Sequence, residues 1–185
     1  MANLKFILQY ILKPRTTGAV LPSSKFLAQK MTEHIDYKNA HCIVEYGPGT
    51  GVFTEKILQN RHPGAEVFLL EPNGDFCRIL REKFANEPNL HIIEDTAANI
   101  GRHISARGFT HADCIISGLP FASLPPQISE SILRETKKYL APTATFTTFQ
   151  YTLFKKKIFA RYFEKLTIKR EFRNVPPAYV LIFYM

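Results

Sequence analysis

The stretch that decides the fold is Ile43–Gly51, which reads Ile-Val-Glu-Tyr-Gly-Pro-Gly-Thr-Gly. An apolar run reaches the acid Glu45 and then passes into three glycines at alternate positions, Gly47, Gly49 and Gly51. Because glycine has no Cβ, the backbone can turn sharply there and approach a ligand closely. The pattern predicts a buried strand followed by a cofactor-binding loop; a tight turn without a ligand is the structural alternative.

The composition is that of one folded domain over residues 1–185. Hydrophobic residues make up 45% of the chain, enough for a single sizeable core. The formal net charge of +8 favours an anionic partner, and nucleic acid and acidic lipid both qualify. No apolar run approaches the ~20 residues that span a bilayer, so we expect a protein that is neither integral to the membrane nor secreted. Three separated cysteines predict buried thiols in a reducing cytosol, with no metal site: Cys42, Cys77 and Cys114.

Apolar strand-like runs alternate along the chain with stretches of helical period. This alternation predicts an α/β, doubly wound fold with helices on both faces of a mostly parallel, seven-stranded sheet. The last two strands are joined by a short segment containing Pro176 and Pro177, too short for a helical crossover, so the last strand should be antiparallel. The predicted strands are Cys42–Tyr46, Glu66–Glu71, Leu90–Glu94, Asp113–Ser117, Ala144–Gln150, Leu166–Phe172 and Tyr179–Tyr184.

Helices between these strands are predicted from apolar residues three or four positions apart. A further helix should begin near Ser23 or Ser24, since either hydroxyl can cap its first backbone amides. The predicted apolar faces are Phe53, Ile57 and Leu58 in one helix, Phe76, Ile79, Leu80 and Phe84 in the next, and Ile128, Ile132, Leu133 and Leu140 in another.

Two acids follow predicted strands at positions that suit a nucleoside. Glu71 ends the second strand, where open α/β sheets place an acid that accepts hydrogen bonds from ribose hydroxyls. Asp95 follows the third strand and is predicted to accept from an adenine amino group, with Thr96 beside the ring. A slip of one residue would exchange Asp95 with Glu94, and exposed strand-end carboxylates are the structural alternative for both acids.

The fourth predicted strand ends in Ser117-Gly118-Leu119-Pro120. In an open parallel sheet this strand lies beside the switch point, where ligands bind outside the carboxyl ends of the strands. We therefore predict that the reaction takes place at these four residues. A plain strand-exit turn made by Gly118 and Pro120 is the structural alternative.

Several segments together give the chain a family resemblance. The glycine spacing resembles the first motif of class I S-adenosylmethionine (SAM) methyltransferases. Nearly the whole chain closely resembles the bacterial phospholipid N-methyltransferases, which are related to the rRNA adenine dimethylases. The segments that carry this second resemblance are Gly18-Ala19-Val20, Pro22-Ser23-Ser24, Glu45–Gly51 with Val52-Phe53-Thr54, Ser117-Gly118-Leu119-Pro120, Gln150-Tyr151-Thr152 and Asn174-Val175-Pro176-Pro177-Ala178.

The resemblance implies SAM as cofactor and a Rossmann-like methyltransferase domain. It implies stepwise methylation of phosphatidylethanolamine towards phosphatidylcholine by a cytoplasmic protein that is peripheral at the inner face of the membrane. The catalytic residues it implies are Ser117, Gly118, Leu119, Pro120 and Tyr151. The cofactor-binding residues it implies are Gly18, Ala19, Val20, Glu45, Gly47, Gly49, Gly51, Glu71, Pro72, Asp95, Thr96 and Ser117.

Ser117 bears on the choice of substrate. In the adenine amino methyltransferases the corresponding tetrapeptide begins with Asn or Asp, whose carbonyl accepts from the target amine. A serine hydroxyl is shorter and a weaker acceptor, which disfavours base methylation. An rRNA adenine amino methyltransferase remains the alternative function, followed by a small-molecule methyltransferase or a SAM-binding module without activity.

The N-terminal residues favour the lipid substrate. Residues 1–35 are predicted to form a helical cap, in which basic residues flank an apolar seam. Such a helix can lie among anionic lipid headgroups; packing on its own sheet is the alternative. The seam is formed by Leu4, Ile7, Leu8 and Ile11.

Overall fold

The computed structural model describes residues 24–153 and 156–185. The predicted amphipathic helix and the segment Gly18-Ala19-Val20 lie outside these residues. Within them the chain forms one seven-stranded sheet. The strands are β1 (Cys42–Tyr46), β2 (Glu66–Leu70), β3 (Leu90–Ile93), β4 (Ala112–Ser117), β5 (Leu140–Gln150), β6 (Lys165–Glu171) and β7 (Ala178–Tyr184).

The order of the strands confirms the predicted fold class. Across the sheet the order is β3-β2-β1-β4-β5-β7-β6. Strands β1 to β5 are parallel, whereas β7 runs antiparallel to both β5 and β6. The segment of residues 172–177 between β6 and β7 has no room for a helix, so these strands form the expected hairpin. The carboxyl ends of β1 to β5 and the first residue of β7 therefore meet at one edge of the sheet.

Five α-helices occur in the described part of the chain, and two of the predicted helical faces need correction. Ser24 caps the first helix, since its Oγ accepts from the backbone N of Leu27 at 3.1 Å. Leu140 is not helical but begins β5. Ile79 is 39% exposed because it lies about 100° around the helix from buried Leu80. The helices are α1 (Lys25–Thr32), α2 (Val52–Asn60), α3 (Gly74–Lys83), α4 (Ile100–Ser105) and α5 (Pro126–Tyr139).

The core consists of two hydrophobic layers, one on each face of the sheet. Alternate strand residues point to opposite faces, so Val44 packs towards α4 and α5, whereas Ile43 packs towards α1, α2 and α3. The three cysteines are buried as free thiols. In the ranges given above, no helix is long and apolar enough to cross a membrane. This packing fixes the carboxyl edge of the sheet, where the functional residues collect.

Candidate functional site

The loop after β1 has a backbone conformation that favours glycine. The φ angles of Gly47, Gly49 and Gly51 are +60°, +55° and +83°, all in the left-handed region. A Cβ on Gly47 would lie 2.8 Å from Leu119 Cδ2, and one on Gly51 would lie 2.7 Å from Phe84 Cε2. Among the residues that the structure describes, a Cβ on Gly49 would meet nothing within 4 Å. The outer glycines therefore permit close packing, and Gly49 leaves one side of the loop open.

Glu71 connects this loop to the end of β2. Its side chain is buried, with Oε2 accepting from Gly49 N at 3.2 Å and Oε1 accepting from Asn73 N at 3.0 Å. Burial raises the pKa of the carboxyl, although both backbone hydrogen bonds act in the opposite direction. Pro72, the next residue, is also buried. The structure thus brings together Glu71 and the glycine loop.

Glu45 lies fully buried on β1, beneath the loop. Thr54 of α2 donates its hydroxyl to Glu45 Oε2 at 2.7 Å. Burial raises the pKa of Glu45 to about 8; the Thr54 hydrogen bond lowers it and the nearby Glu71 raises it. Within the described ranges Oε1 is buried without a hydrogen-bond partner. A buried acceptor normally has a partner, so this oxygen suits an N–H group or cation of a ligand.

Asp95 lies in the turn after β3 and has partners within the chain. Its Oδ1 accepts from Thr96 N and Asn99 Nδ2 at 2.7 and 2.8 Å, and Oδ2 lies 2.8 Å from His103 Nε2. Burial opposes ionisation, but these hydrogen bonds prevail and lower the pKa of Asp95. Glu94, by contrast, lies against Gly74 at the start of α3. Asp95 therefore stabilises the turn, and its role towards an adenine stays a prediction.

Ser117 is fully buried at the end of β4, and its polar atoms are engaged within the chain. Its Oγ accepts from Leu119 N at 3.2 Å, and its carbonyl accepts from Thr148 Oγ1 at 3.2 Å. The hydroxyl thus holds the turn of residues 117–119 closed. This arrangement makes Ser117 a residue that shapes the site, with limited capacity to accept from a substrate.

The Ser117–Pro120 segment packs directly on the glycine loop. Gly118 N donates to the carbonyl of Tyr46 at 2.8 Å, and a Cβ on Gly118 would lie only 2.6 Å from the carbonyl oxygen of Gly47. Only glycine allows this approach of two backbones. The predicted catalytic segment and the predicted cofactor loop are therefore neighbours in the folded chain, although they are far apart in the sequence.

Tyr151 stands apart from this buried cluster. It follows β5 directly, is 37% exposed, and packs edge-on against Phe149 with ring centroids 5.7 Å apart. Its predicted catalytic role stays a prediction. The preceding residue, Gln150, was not predicted as a site residue, yet it is only 3% exposed. Neither polar atom of its amide has a partner among residues 24–153 and 156–185.

Comparisons with known proteins identify the family. Residues 20–172 match the family described as ribosomal RNA adenine dimethylase. The chain belongs to this family. The ornithine lipid N-methyltransferase of Singulisphaera acidiphila is 35% identical over 162 residues, which cover 87% of this chain and 84% of that protein. The ribosomal RNA small subunit methyltransferase A of a Synechococcus species is 40% identical over 52 residues, which cover 28% of this chain and 17% of that protein.

Solved structures share the fold of this dimethylase-family chain. A 16S rRNA N2 methyltransferase of T. thermophilus, in complex with AdoMet and guanosine, superposes with a TM-score of 0.67 at 16% identity, covering 91% of this chain and 44% of that one. An rRNA methylase of Streptococcus thermophilus gives 0.62 at 13% identity, covering 86% and 92%. These findings confirm the methyltransferase fold, and with the family match they make the protein a SAM-dependent methyltransferase.

The residues of the site fit SAM. In the part of the chain that the structure describes, the open side of Gly49 leaves room for a ligand at the loop, and Glu45 Oε1, which has no partner there, suits an ammonium group. We predict that SAM is held by the loop of residues 47–51 together with Glu45 and Glu71. When bound, SAM supplies a methyl group attached to a positively charged sulfur.

Proposed function

We propose that this methyltransferase acts on the primary amine of a membrane-lipid headgroup, with phosphatidylethanolamine as the substrate that the sequence predicts. The observation that carries the proposal is the distribution of similarity along the chain. The lipid-modifying relative matches 87% of the chain at 35% identity, whereas the rRNA methyltransferase of Synechococcus matches 28% and that of Dehalococcoides mccartyi matches 73% at 27% identity. The relative acts, by its name, on ornithine lipid, and both lipids present a terminal primary amine.

The geometry at Ser117 supports an amine other than that of adenine. The Ser117 hydroxyl already accepts from Leu119 N. A serine side chain also has no carbonyl or carboxylate oxygen of the kind that Asn or Asp would present to a base. A flexible lipid amine, in contrast, can be placed without the rigid plane that a purine ring imposes.

A surface beside the site supports the lipid proposal. We name it the apolar rim: Phe26, Phe172 and Val175, with the basic residues Arg170 and Arg173. The three apolar side chains are 46%, 65% and 69% exposed. The Arg170 guanidinium lies 4.6 Å from the centroid of the Phe172 ring, and that of Arg173, which is ion-paired with Glu171 at 2.9 Å, lies 4.1 Å from the Phe26 ring. Exposed apolar groups beside the Arg170 guanidinium suit an anionic lipid surface.

The apolar rim is placed next to the site by the topology of the hairpin. Strand β7 begins at the edge where β5 ends, because the two strands are antiparallel. The backbone N of Ser24 donates to Asn174 Oδ1 at 3.0 Å, which joins the start of α1 to the hairpin segment. A protein resting on this surface would hold its carboxyl edge towards the headgroups. Under the same proposal, the protein lies peripherally at the membrane surface, and residues 1–13 contribute to that binding.

For methyl transfer to an amine, the chain mainly has to position the amine and the methyl donor and to exclude water. A lipid ammonium must first lose a proton to water. A partly dry site beside the positively charged sulfur of SAM would lower the pKa of the ammonium and so favour this loss. The amine lone pair then forms the N–CH3 bond as the S–CH3 bond breaks, and the electron pair of that bond stays on sulfur. The methylammonium product releases a proton before any further transfer.

The second candidate is methylation of an adenine amino group in rRNA. It is favoured by the family match and by the net charge of +8. The two functions differ in the molecule that receives the methyl group. They can therefore be separated by following a labelled methyl.

The test is incubation of the protein with methyl-labelled SAM and one acceptor at a time. The acceptors are vesicles with phosphatidylethanolamine, vesicles with ornithine lipid, vesicles with phosphatidylglycerol alone, and small-subunit rRNA. We expect label in one or both aminolipids and none in phosphatidylglycerol, which has no amine. Label in rRNA without labelled lipid would overturn the proposal, and binding of SAM without any labelled acceptor would count for the small-molecule or inactive alternatives.

A further inference from the structure

Gln150 is the last residue of β5, and its amide is unusual in its surroundings. The side chain is 3% exposed, and both Nε2 and Oε1 are buried without a hydrogen-bond partner in the described part of the chain. Buried amides are normally paired, because an unpaired one loses its bonds to water and gains none in return. A residue that accepts this penalty in the free protein is a candidate for binding a ligand.

The position of Gln150 points to the substrate. Ser117 pairs with Thr148 across β4 and β5, and the Thr148 hydroxyl donates to the Ser117 carbonyl. Thr148 and Gln150 lie on the same face of β5, two residues or about 7 Å apart along the strand. Gln150 therefore lies one same-face position beyond the level of Ser117, towards the carboxyl edge of the sheet. Its other neighbour is Tyr179, opposite it on β7, on the side of the apolar rim.

We propose that Gln150 binds the substrate amine, with Oε1 accepting an N–H hydrogen bond while the nitrogen lone pair faces the methyl donor. This inference rests on the proposed function. Ser117 has its hydroxyl engaged by Leu119, so Gln150 supplies the carbonyl acceptor that Ser117 lacks. Its Nε2–H group provides a donor for an oxygen atom of the headgroup.

This role predicts a dependence on the number of methyl groups already added. A neutral primary amine has two N–H groups, a monomethyl amine has one, and a dimethyl amine has none. Gln150 Oε1 can therefore assist the first two transfers but has no partner in the third. A residue that only supports the fold would affect all three transfers alike.

The experiment compares wild type with Gln150→Leu, which keeps the size of the side chain and removes both polar atoms. Rates are measured with phosphatidylethanolamine and with its monomethyl and dimethyl forms, or with the matching ornithine-lipid series. We expect kcat/KM to fall about tenfold or more for the primary and monomethyl amines and to stay within about twofold for the dimethyl amine. SAM affinity should be unchanged, and the melting temperature should be equal or higher because two unpaired polar atoms are gone.

The matched control is Gln59→Leu, at an exposed position on α2, which should leave all rates unchanged. Equal loss for all three amines, or no loss for the primary amine, would overturn the role of Gln150. If wild type labels rRNA and no lipid, the proposed function is wrong, and the same pair of proteins is compared on rRNA. A tenfold loss there would keep Gln150 as an amine acceptor, and equal rates would remove it.

A binding measurement gives a readout that does not need turnover. The protein loaded with S-adenosylhomocysteine is titrated with glycerophosphoethanolamine and with glycerophosphate, which lacks the amine. Wild type should prefer the amine-bearing ligand, and Gln150→Leu should lose that preference. Equal affinity of wild type for the two ligands, or an unchanged preference in the variant, would overturn the inference.

Discussion

The two halves of the carboxyl edge differ in the chemistry they present. The half formed by β1, β2 and β3 carries carboxylates, and Glu71 and Asp95 are held by hydrogen bonds within the chain. The half formed by β5, β7 and β6 carries the neutral Gln150 amide, which has no partner in residues 24–153 and 156–185, and the exposed apolar rim. The first half is prearranged for a polar, cationic ligand, and the second leaves its groups available to an amphipathic one. This difference agrees with SAM on one side and, under the proposed function, a lipid headgroup on the other.

The largest effect should come from the contact between the glycine loop of the first half and the segment after β4, the strand that lies between the two halves. In Gly118→Ala the new Cβ would lie 2.6 Å from the Gly47 carbonyl oxygen, so one of the two backbone segments would have to shift. We expect SAM affinity to fall about a hundredfold and stability to fall by about 1–3 kcal/mol. Calorimetric titration and thermal unfolding would measure both. The control is Gly64→Ala, where a Cβ would meet only the His62 side chain at 3.3 Å. Unchanged SAM affinity in Gly118→Ala would show that the contact between Gly118 and Gly47 does not shape the SAM site.

A smaller loss is expected when only the acid half is altered. Glu71→Ala removes the acceptor for Gly49 N and the group predicted to bind the ribose hydroxyls. We expect SAM affinity to fall about tenfold to fiftyfold, while the chain stays folded by circular dichroism. Glu82→Ala, at an exposed position on α3, is the matched control. The same SAM affinity in the Glu71 variant as in wild type would remove the ribose assignment.

The apolar rim should affect lipid binding and leave SAM binding alone. In the double variant Phe172→Ser and Val175→Ser, two exposed apolar groups are lost from the rim. We expect cosedimentation with anionic vesicles to weaken about tenfold, since each apolar group that enters a membrane contributes on the order of 1 kcal/mol. Leu166→Ser tests position, because Leu166 is 37% exposed at the far end of β6. Equal loss in Leu166→Ser would argue against a directed rim.

The smallest effect concerns the pH dependence of SAM binding. Burial raises the pKa of Glu45 to about 8, so part of the protein carries a neutral Glu45 at pH 7.5. If the SAM ammonium binds the ionised form, the affinity of wild type relative to that of Glu45→Gln should rise about threefold from pH 7.5 to 8.5. The variant is the reference because the α-ammonium of SAM also titrates in this range and affects both proteins alike. Calorimetry of both proteins at the two pH values decides, and a constant ratio of affinities would exclude Glu45 as a partner of the ammonium.

The same residue has a consequence for stability. Its pKa in the folded chain lies above the ordinary value of 4.5, so the folded state binds more protons than the unfolded state between about pH 4.5 and 8. The contribution of Glu45 to stability is therefore complete below this range and is lost as pH rises through it. In denaturant unfolding, the free energy of unfolding of Glu45→Gln should increase relative to that of wild type from pH 5 to pH 8.5.

Local patterns in the sequence were sufficient for the sheet. Most of the strands contain apolar runs, β6 alternates apolar and polar residues, and the short Pro176-Pro177 segment allows no crossover, so strand positions and the final hairpin could be predicted. Local spacing did not decide which helical residues are buried. Ile79 fits an apolar spacing as well as Cys77 does, and only the packing of α3 on the sheet decides that Cys77 is buried and Ile79 exposed.

The sequence by itself determined the glycine loop, the fold class and the family, because these depend on residues close together in the chain. The tertiary structure alone decided which polar groups have partners. Glu71 reaches Gly49 across 22 positions, and Thr148 reaches Ser117 across 31. Whether Gln150 finds a partner depends on strands from three parts of the chain, and no local pattern can reveal that. Hydrogen bonding between distant segments is a property of the folded chain, which is why Gln150, the proposed substrate-binding residue, could be found only in the structure.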